Sequence, residues 1–332
     1  MVENFLESRA DDLELWEACN WAKVQAHDVQ VLQVNTLRNL LLASEPGLAA
    51  PPHLSAASGL VRIGKRLYVV ADDENSLGIF DLSNDEPGAL FRIFEGELPS
   101  GHQARKAAKP DLEALTVLPA FPGHPFGALL AVGSGSRPTR QRGALVALDA
   151  QGDIAGPVHP VDLAPLFEPL RAHFPELNIE GIFVTGDRLC LLQRGNTSAP
   201  INACVAFDWG DVQRWLQEAA PAPTVLAITR FDLGTIDGVP LCFTDGAALR
   251  DGAWVFSAAA EDTSNSYADG RCMGSAVGVV NASGTVEVLE PLALVCKVEG
   301  IDASMNSGRM DLLMVTDGDD RQAPALLLSA TL

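Results

Sequence analysis

The chain has 332 residues, 47% hydrophobic and only 20% charged, which supplies ample apolar material for a core and excludes wholesale disorder. Its 23 basic against 43 acidic residues give a formal charge of −20, opposing nonspecific attraction to nucleic acid or to an anionic membrane. The six cysteines are scattered without a CxxC pair, the N-terminus MVENFLESRADDLELW is acidic where a signal peptide is basic and then apolar, and no stretch reaches the length of a membrane span, so a cytoplasmic protein is expected.

In chain order, residues 1–26 read as an N-terminal extension and residues 27–332 as a single domain. The first strand candidate is VQVLQVNTLR, residues 29–38. Five segments then follow, each with three successive strand candidates separated by polar or Gly-rich turns. Each opens on a short stretch such as DLEALTV, NIEGIFV or KVEGIDA, in which a polar residue precedes small and apolar ones. Aligning that position gives Ser58, Glu113, Glu180, Asp245 and Glu299, which lie 54 to 67 residues apart. Repeats of this length, built of three or four short strands, predict an all-β fold, a five-bladed β-propeller. ALFRIFE and TVLAITRF read as fourth strands, but the last repeat stops at Leu332 after its third, so residues 29–38 are expected to complete it and close the ring. LAPLFEPLRAHF (163–174) and WGDVQRWLQEAA (209–220) interrupt the pattern with helical apolar spacing.

Strand alternation places the start of each first strand on the same face as the hairpin between the second and third strands. That face therefore gathers the five aligned residues with hairpins carrying Asp72, Glu261 and Asp317 on an acidic side, and Arg137, Arg140, Arg142, Arg194 and Asn196 on a basic side. Two carboxylates about 6 Å apart repel by roughly 3 kcal/mol at an effective dielectric near 20. The converging acids must take up protons, pair with Lys109, Lys297 or the arginines, or hold a cation. Carboxylate and hydroxyl oxygens suit calcium, alternatively magnesium, better than zinc. Two readings stand for the acids: metal ligands, or caps on their own turns around a watery channel. Two stand for the arginines: bidentate holders of a small anionic molecule, or solvated surface charges. GLVRIGKR, residues 59–66, nearly matches a phosphate-binding loop but runs into LYVV where a helix is required, so it reads as a strand turn. The six histidines fall outside the aligned positions and hairpins.

The order Ser58, Glu113, Glu180, Asp245, Glu299, with RIGKRLYVVADDENSLGIFDL in the first repeat and KVEGID in the last, resembles the calcium-activated nucleotidase (apyrase) propeller. More loosely, the sequence is similar to bacterial phytase-like and esterase-like propellers. The apyrase resemblance implies five blades around a calcium ion and hydrolysis of nucleoside di- and triphosphates. Carried over by position, it makes Ser58, Glu113, Glu180 and Glu299 metal ligands, with Asp245 standing where a small hydroxyl residue is expected. The expected activity is metal-dependent hydrolysis of a phosphorylated small molecule, with Asp72, Glu261 or Asp317 orienting the water. A noncatalytic propeller, binding a ligand or a protein partner around a structural ion, is the alternative.

Overall fold

A computed structural model describes residues 22, 30–44, 53–265 and 270–332. Five antiparallel sheets form the blades of a five-bladed β-propeller: blade 1 spans 57–92, blade 2 112–162, blade 3 179–231, blade 4 235–291, and blade 5 298–331. The N-terminal extension, apart from Ala22, lies outside the described residues.

Ring closure follows the expected plan. The N-terminal strand Asn35–Asn39 pairs antiparallel with Leu326–Thr331 as the outermost strand of blade 5. Just before it, Leu32 bridges to Leu292 on the outer edge of blade 4. Just after it, Leu40 and Leu42 bury themselves with Leu54, Phe80 and Leu327 between blades 5 and 1. One apolar layer of this kind fills each of the five gaps between neighbouring blades. This is why the second and third strands, such as RLYVVA and ALLAVG, are apolar on both faces.

Among the described residues three α-helices decorate the ring: α1 (His102–Ala108), α2 (Ala164–Phe167), which runs on into a 3₁₀ turn over Glu168–Ala172, and α3 (Trp209–Leu216). The last two coincide with the predicted helical insertions. Asp208 caps α3 by accepting from the Asp211 N–H. Residues 59–66 form a strand turn, as expected.

The innermost strands explain the acid–glycine pairs. Each carries a β-bulge near its start, with Ser58, Glu113, Glu180 and Glu299 as the extra residue in blades 1, 2, 3 and 5. The next residue faces the first strand of the neighbouring blade at close range. A Cβ on Gly181 would stand 3.1 Å from the Gly246 nitrogen, and one on Gly300 would stand 3.0 Å from Gly59 Cα. Glycine at these two positions is therefore a packing requirement of the narrow centre.

Candidate axial site

Register corrects one predicted position. In blade 4 the bulged residue is Thr244, and Asp245 occupies the place held elsewhere by Gly59, Ala114, Gly181 and Gly300. The small hydroxyl expected in blade 4 is present, one residue earlier, and its Oγ1 donates to Ser257 Oγ. Asp245 points into the joint between blades 4 and 5, where its carboxylate accepts from the Ile301 N–H at 3.0 Å and from the Gly246 N–H at 2.7 Å. Burial raises its pKa well above the usual carboxylate range, against those two bonds.

The other four residues, Ser58, Glu113, Glu180 and Glu299, share one axial cavity of about 80 Å³ with the hairpins of the same face. Eight carboxylates and five cationic side chains line it, a formal excess of three negative charges. Internal ion pairs absorb much of that charge. The Arg194 guanidinium lies 3.3 Å from Glu180, 3.4 Å from Glu299 and 2.5 Å from Glu261, tying blades 3, 4 and 5 together. Lys297 adds contacts to Glu299 at 3.1 Å and to Asp319 at 3.2 Å. On the opposite side Lys109 bridges Asp72 and Asp111, and Arg140 meets Asp111 at 2.8 Å. Asp111 also accepts from the Ser134 hydroxyl. The residue two places before the ring position supplies donors in blades 3 and 5, where Asn178 bonds Glu180 and Lys297 meets Glu299.

Two groups remain outside this network. The Glu113 carboxylate makes no hydrogen bond or ion pair among the described residues, and Glu299, only 3% exposed, leaves Oε2 without a partner. The Glu113, Asp72 and Asp111 carboxylates also come within 4.8 Å of one another, a grouping able to hold a metal ion. Titration reflects burial first and the crowding of acids second. Burial first, then Glu180 and Asp111, lifts Glu113 well above its usual range. Burial likewise pushes Glu180 up to about 8 against the pull of Arg194, and Asp72 up to about 6 against that of Lys109. Asp317 rises for the same reason, with Lys297 opposing and Asp72 adding to the effect. Each shift marks a carboxylate that would ionise more readily beside a further positive charge.

The arginines divide. Arg140 and Arg194 line the cavity, buried and paired with acids, so neither stands as a vacant anion holder. Arg142 is exposed and lies over the Phe94 ring at 4.4 Å, and Arg137 is likewise absent from the lining, which corrects their placement beside the acids. Asn196 lines the cavity, but its Oδ1 accepts from the Ser198 and Ala199 N–H groups and so shapes its own turn. Glu261 anchors Arg194 and accepts from the Gly270 N–H at 2.7 Å. Asp72 and Asp317 sit at the border with a second cavity. Sequence reasoning missed Asp111 and Lys106 as members of the lining, although Asp111 stands two places before Glu113, as Lys297 does before Glu299.

No helix among the described residues is long and apolar enough to cross a membrane. No curated protein matches the chain in sequence. Among solved structures it is similar to glutaminyl cyclase from Myxococcus xanthus, at 11% identity and a TM-score of 0.47, over 91% of this chain and 100% of that one. It is also similar to the catalytic domain of the GH62 α-L-arabinofuranosidase from Coprinopsis cinerea, at 9% identity and a TM-score of 0.49, over 91% of this chain and 97% of that one. From just before blade 1 onward, over residues 53–332, the chain matches and belongs to the family of unknown function DUF6929.

Proposed function

We propose that the axial cavity binds a divalent cation, calcium or magnesium, and that the protein is a metal-dependent hydrolase of a phosphorylated small molecule. The single observation carrying the cation is the unpartnered Glu113 carboxylate, facing a cavity lined by three more acidic than basic side chains. The orphaned Glu299 Oε2 supports it independently, and so does the resemblance of the ring positions to the apyrase propeller. Ser58, Glu113, Glu180 and Glu299 would hold the ion, an oxygen-only set that fits these hard cations, and the cavity has room for several waters. Bound there, such an ion supplies a Lewis acid that lowers the pKa of a coordinated water and polarises a phosphoryl oxygen. Asp72 and Asp317, each with a raised pKa and each on the border of the two cavities, would hold or release a proton. Glu261 acts by positioning Arg194 rather than by touching the reacting atoms.

A second reading has its own support. Arg194 alone joins acids of three blades, and such pairing favours a noncatalytic propeller whose polar face binds a ligand or protein and whose ion only holds the blades together. The test is phosphate release from nucleoside di- and triphosphates, inositol phosphates and simple phosphate monoesters, with calcium or magnesium, alongside calorimetric titration of each cation. The hydrolase reading expects Glu113→Gln and Glu180→Gln to lose both cation binding and turnover. Cation binding without turnover on any of these substrates leaves the scaffold reading. No binding of either cation removes the metal from both.

A further inference from the structure

A second cavity, of about 340 Å³, adjoins the axial one at the seam between blades 5 and 1, and the two share Asp72, Lys106, Lys109, Asp317 and Asp319. Its basic side comes largely from one short element. Helix α1, HQARKAA, and the residue after it place Arg105, Lys106 and Lys109 on the lining, and Arg321 faces them from the last loop of blade 5. These four cations share the lining with five carboxylates, Asp72, Asp73, Asp317, Asp319 and Asp320, so any anion would have to be held by particular donors and not by net charge.

The two arginines are held in an unusual way. Arg105 and Arg321 both donate through Nε to the same oxygen, Asp73 Oδ2, at 3.2 and 3.0 Å. Arg105 also donates through one terminal nitrogen to Glu74 at 2.5 Å. Neither terminal nitrogen of Arg321, nor the second terminal nitrogen of Arg105, makes a hydrogen bond among the described residues. Asp73 is 7% exposed and leaves its other oxygen, Oδ1, unpartnered. The acids of the cavity are largely consumed within it. Lys109 takes Asp72, Lys297 takes Asp319, and Asp317 and Asp320 accept from backbone N–H groups of their own loop. Asp73 thus orients two guanidinium groups by their inner edges while donors remain unspent.

We propose that this cavity is an anion subsite that takes a phosphate or carboxylate group between Arg105 and Arg321, with Lys106 beside them. A guanidinium pair suits such groups because its remaining N–H donors can reach two oxygens of one planar or tetrahedral anion. The volume lies within the range of small-molecule sites. Resting on the axial reading for its other end, the inference makes the ligand a small polyanion: one phosphate at the axial cation and a second anionic group, phosphate or carboxylate, at the seam.

The test is calorimetric titration of the full chain, stripped of divalent metal by a chelating resin, with inorganic phosphate and separately with malonate at low ionic strength. Working without metal makes the result independent of the axial cation and of any turnover. Saturable binding of at least one probe is expected, weakened at least tenfold in Arg321→Gln and in Arg105→Gln. Binding of phosphate alone, or of malonate alone, identifies the group the subsite takes. Arg321 has a side chain 34% exposed, so Arg321→Gln is the variant expected to fold, and its circular dichroism and melting temperature verify this. If Arg105→Gln does not fold, Arg321→Gln decides alone. No saturable binding of either probe overturns the inference, as does binding that survives the substitutions.

Discussion

Arg194→Met tests whether the axial acids depend on the chain's own cations. Its guanidinium touches Glu180 and Glu299 at 3.3 and 3.4 Å. At an effective dielectric near 20, each contact represents about 5 kcal/mol of gross Coulomb attraction. Desolvation of the buried guanidinium cancels much of that, and truncating one partner of a buried ion pair costs about 3–5 kcal/mol net, because the carboxylates left behind are uncompensated. At about 2–4 °C per kcal/mol, the metal-free variant should melt about 6–20 °C below the wild type at pH 8. The sign of the pH effect is fixed. Glu180 already has a folded-state pKa of about 8, above its usual value. Without Arg194 it and its neighbours bind protons still more tightly, so the penalty shrinks as pH falls toward 5 and grows as pH rises. The assay is thermal or urea denaturation at pH 5 and pH 8, with and without calcium, which should recover part of the loss. A destabilisation below about 1 kcal/mol at both pH values would refute the reasoning.

Three further outcomes are expected. Asp245→Ala should cost about 1–3 kcal/mol in urea denaturation, by leaving the Ile301 and Gly246 N–H groups unpaired, while Asp245→Asn should cost less and leave calcium affinity unchanged; a loss of affinity in Asp245→Asn would return that residue to the ring. Leu40→Ala empties a fully buried position in the seam and should cost about 2–5 kcal/mol, so a melting temperature equal to that of the wild type would count against the closure described. Burial, then Asp73, raises Glu74 to about 7, so its contribution to stability declines as pH rises from its unfolded value toward 7; Glu74→Gln should flatten that slope in denaturation curves taken from pH 4 to pH 8.

Much of the architecture was legible because a repeat is a long-range signal. Five recurrences of one short pattern fix the number of blades, and a last repeat lacking its fourth strand requires an earlier segment to supply it, as Asn35–Asn39 does. The helices at 164–172 and 209–216 announced themselves through apolar spacing, whereas α1 did not, since HQARKAA presents its basic residues to a cavity rather than an apolar stripe to the core. The displacement of Asp245 has a similar cause. A bulge shifts register by one residue, and in FTDGAAL the more conspicuous acid drew the alignment away from Thr244, which holds the equivalent backbone position. Nor did residue type say which arginines face inward. Arg142 and Arg140 are two residues apart, yet one covers an aromatic ring and the other meets Asp111.

Joining Asn35–Asn39 to Leu326–Thr331 in one sheet also sets an order of events. The segment that contributes Leu40 is synthesised before any of blades 1 to 4, and its partner strand, Leu326–Thr331, after all of them. The second cavity lies on that same seam, with Asp73 from blade 1 and Arg321 from blade 5 meeting across it. A nascent chain therefore cannot assemble the Asp73–Arg321 clamp until blades 1 to 4 have all been synthesised, and a product truncated before Arg321 would retain four potential blades yet no finished pocket at the joint.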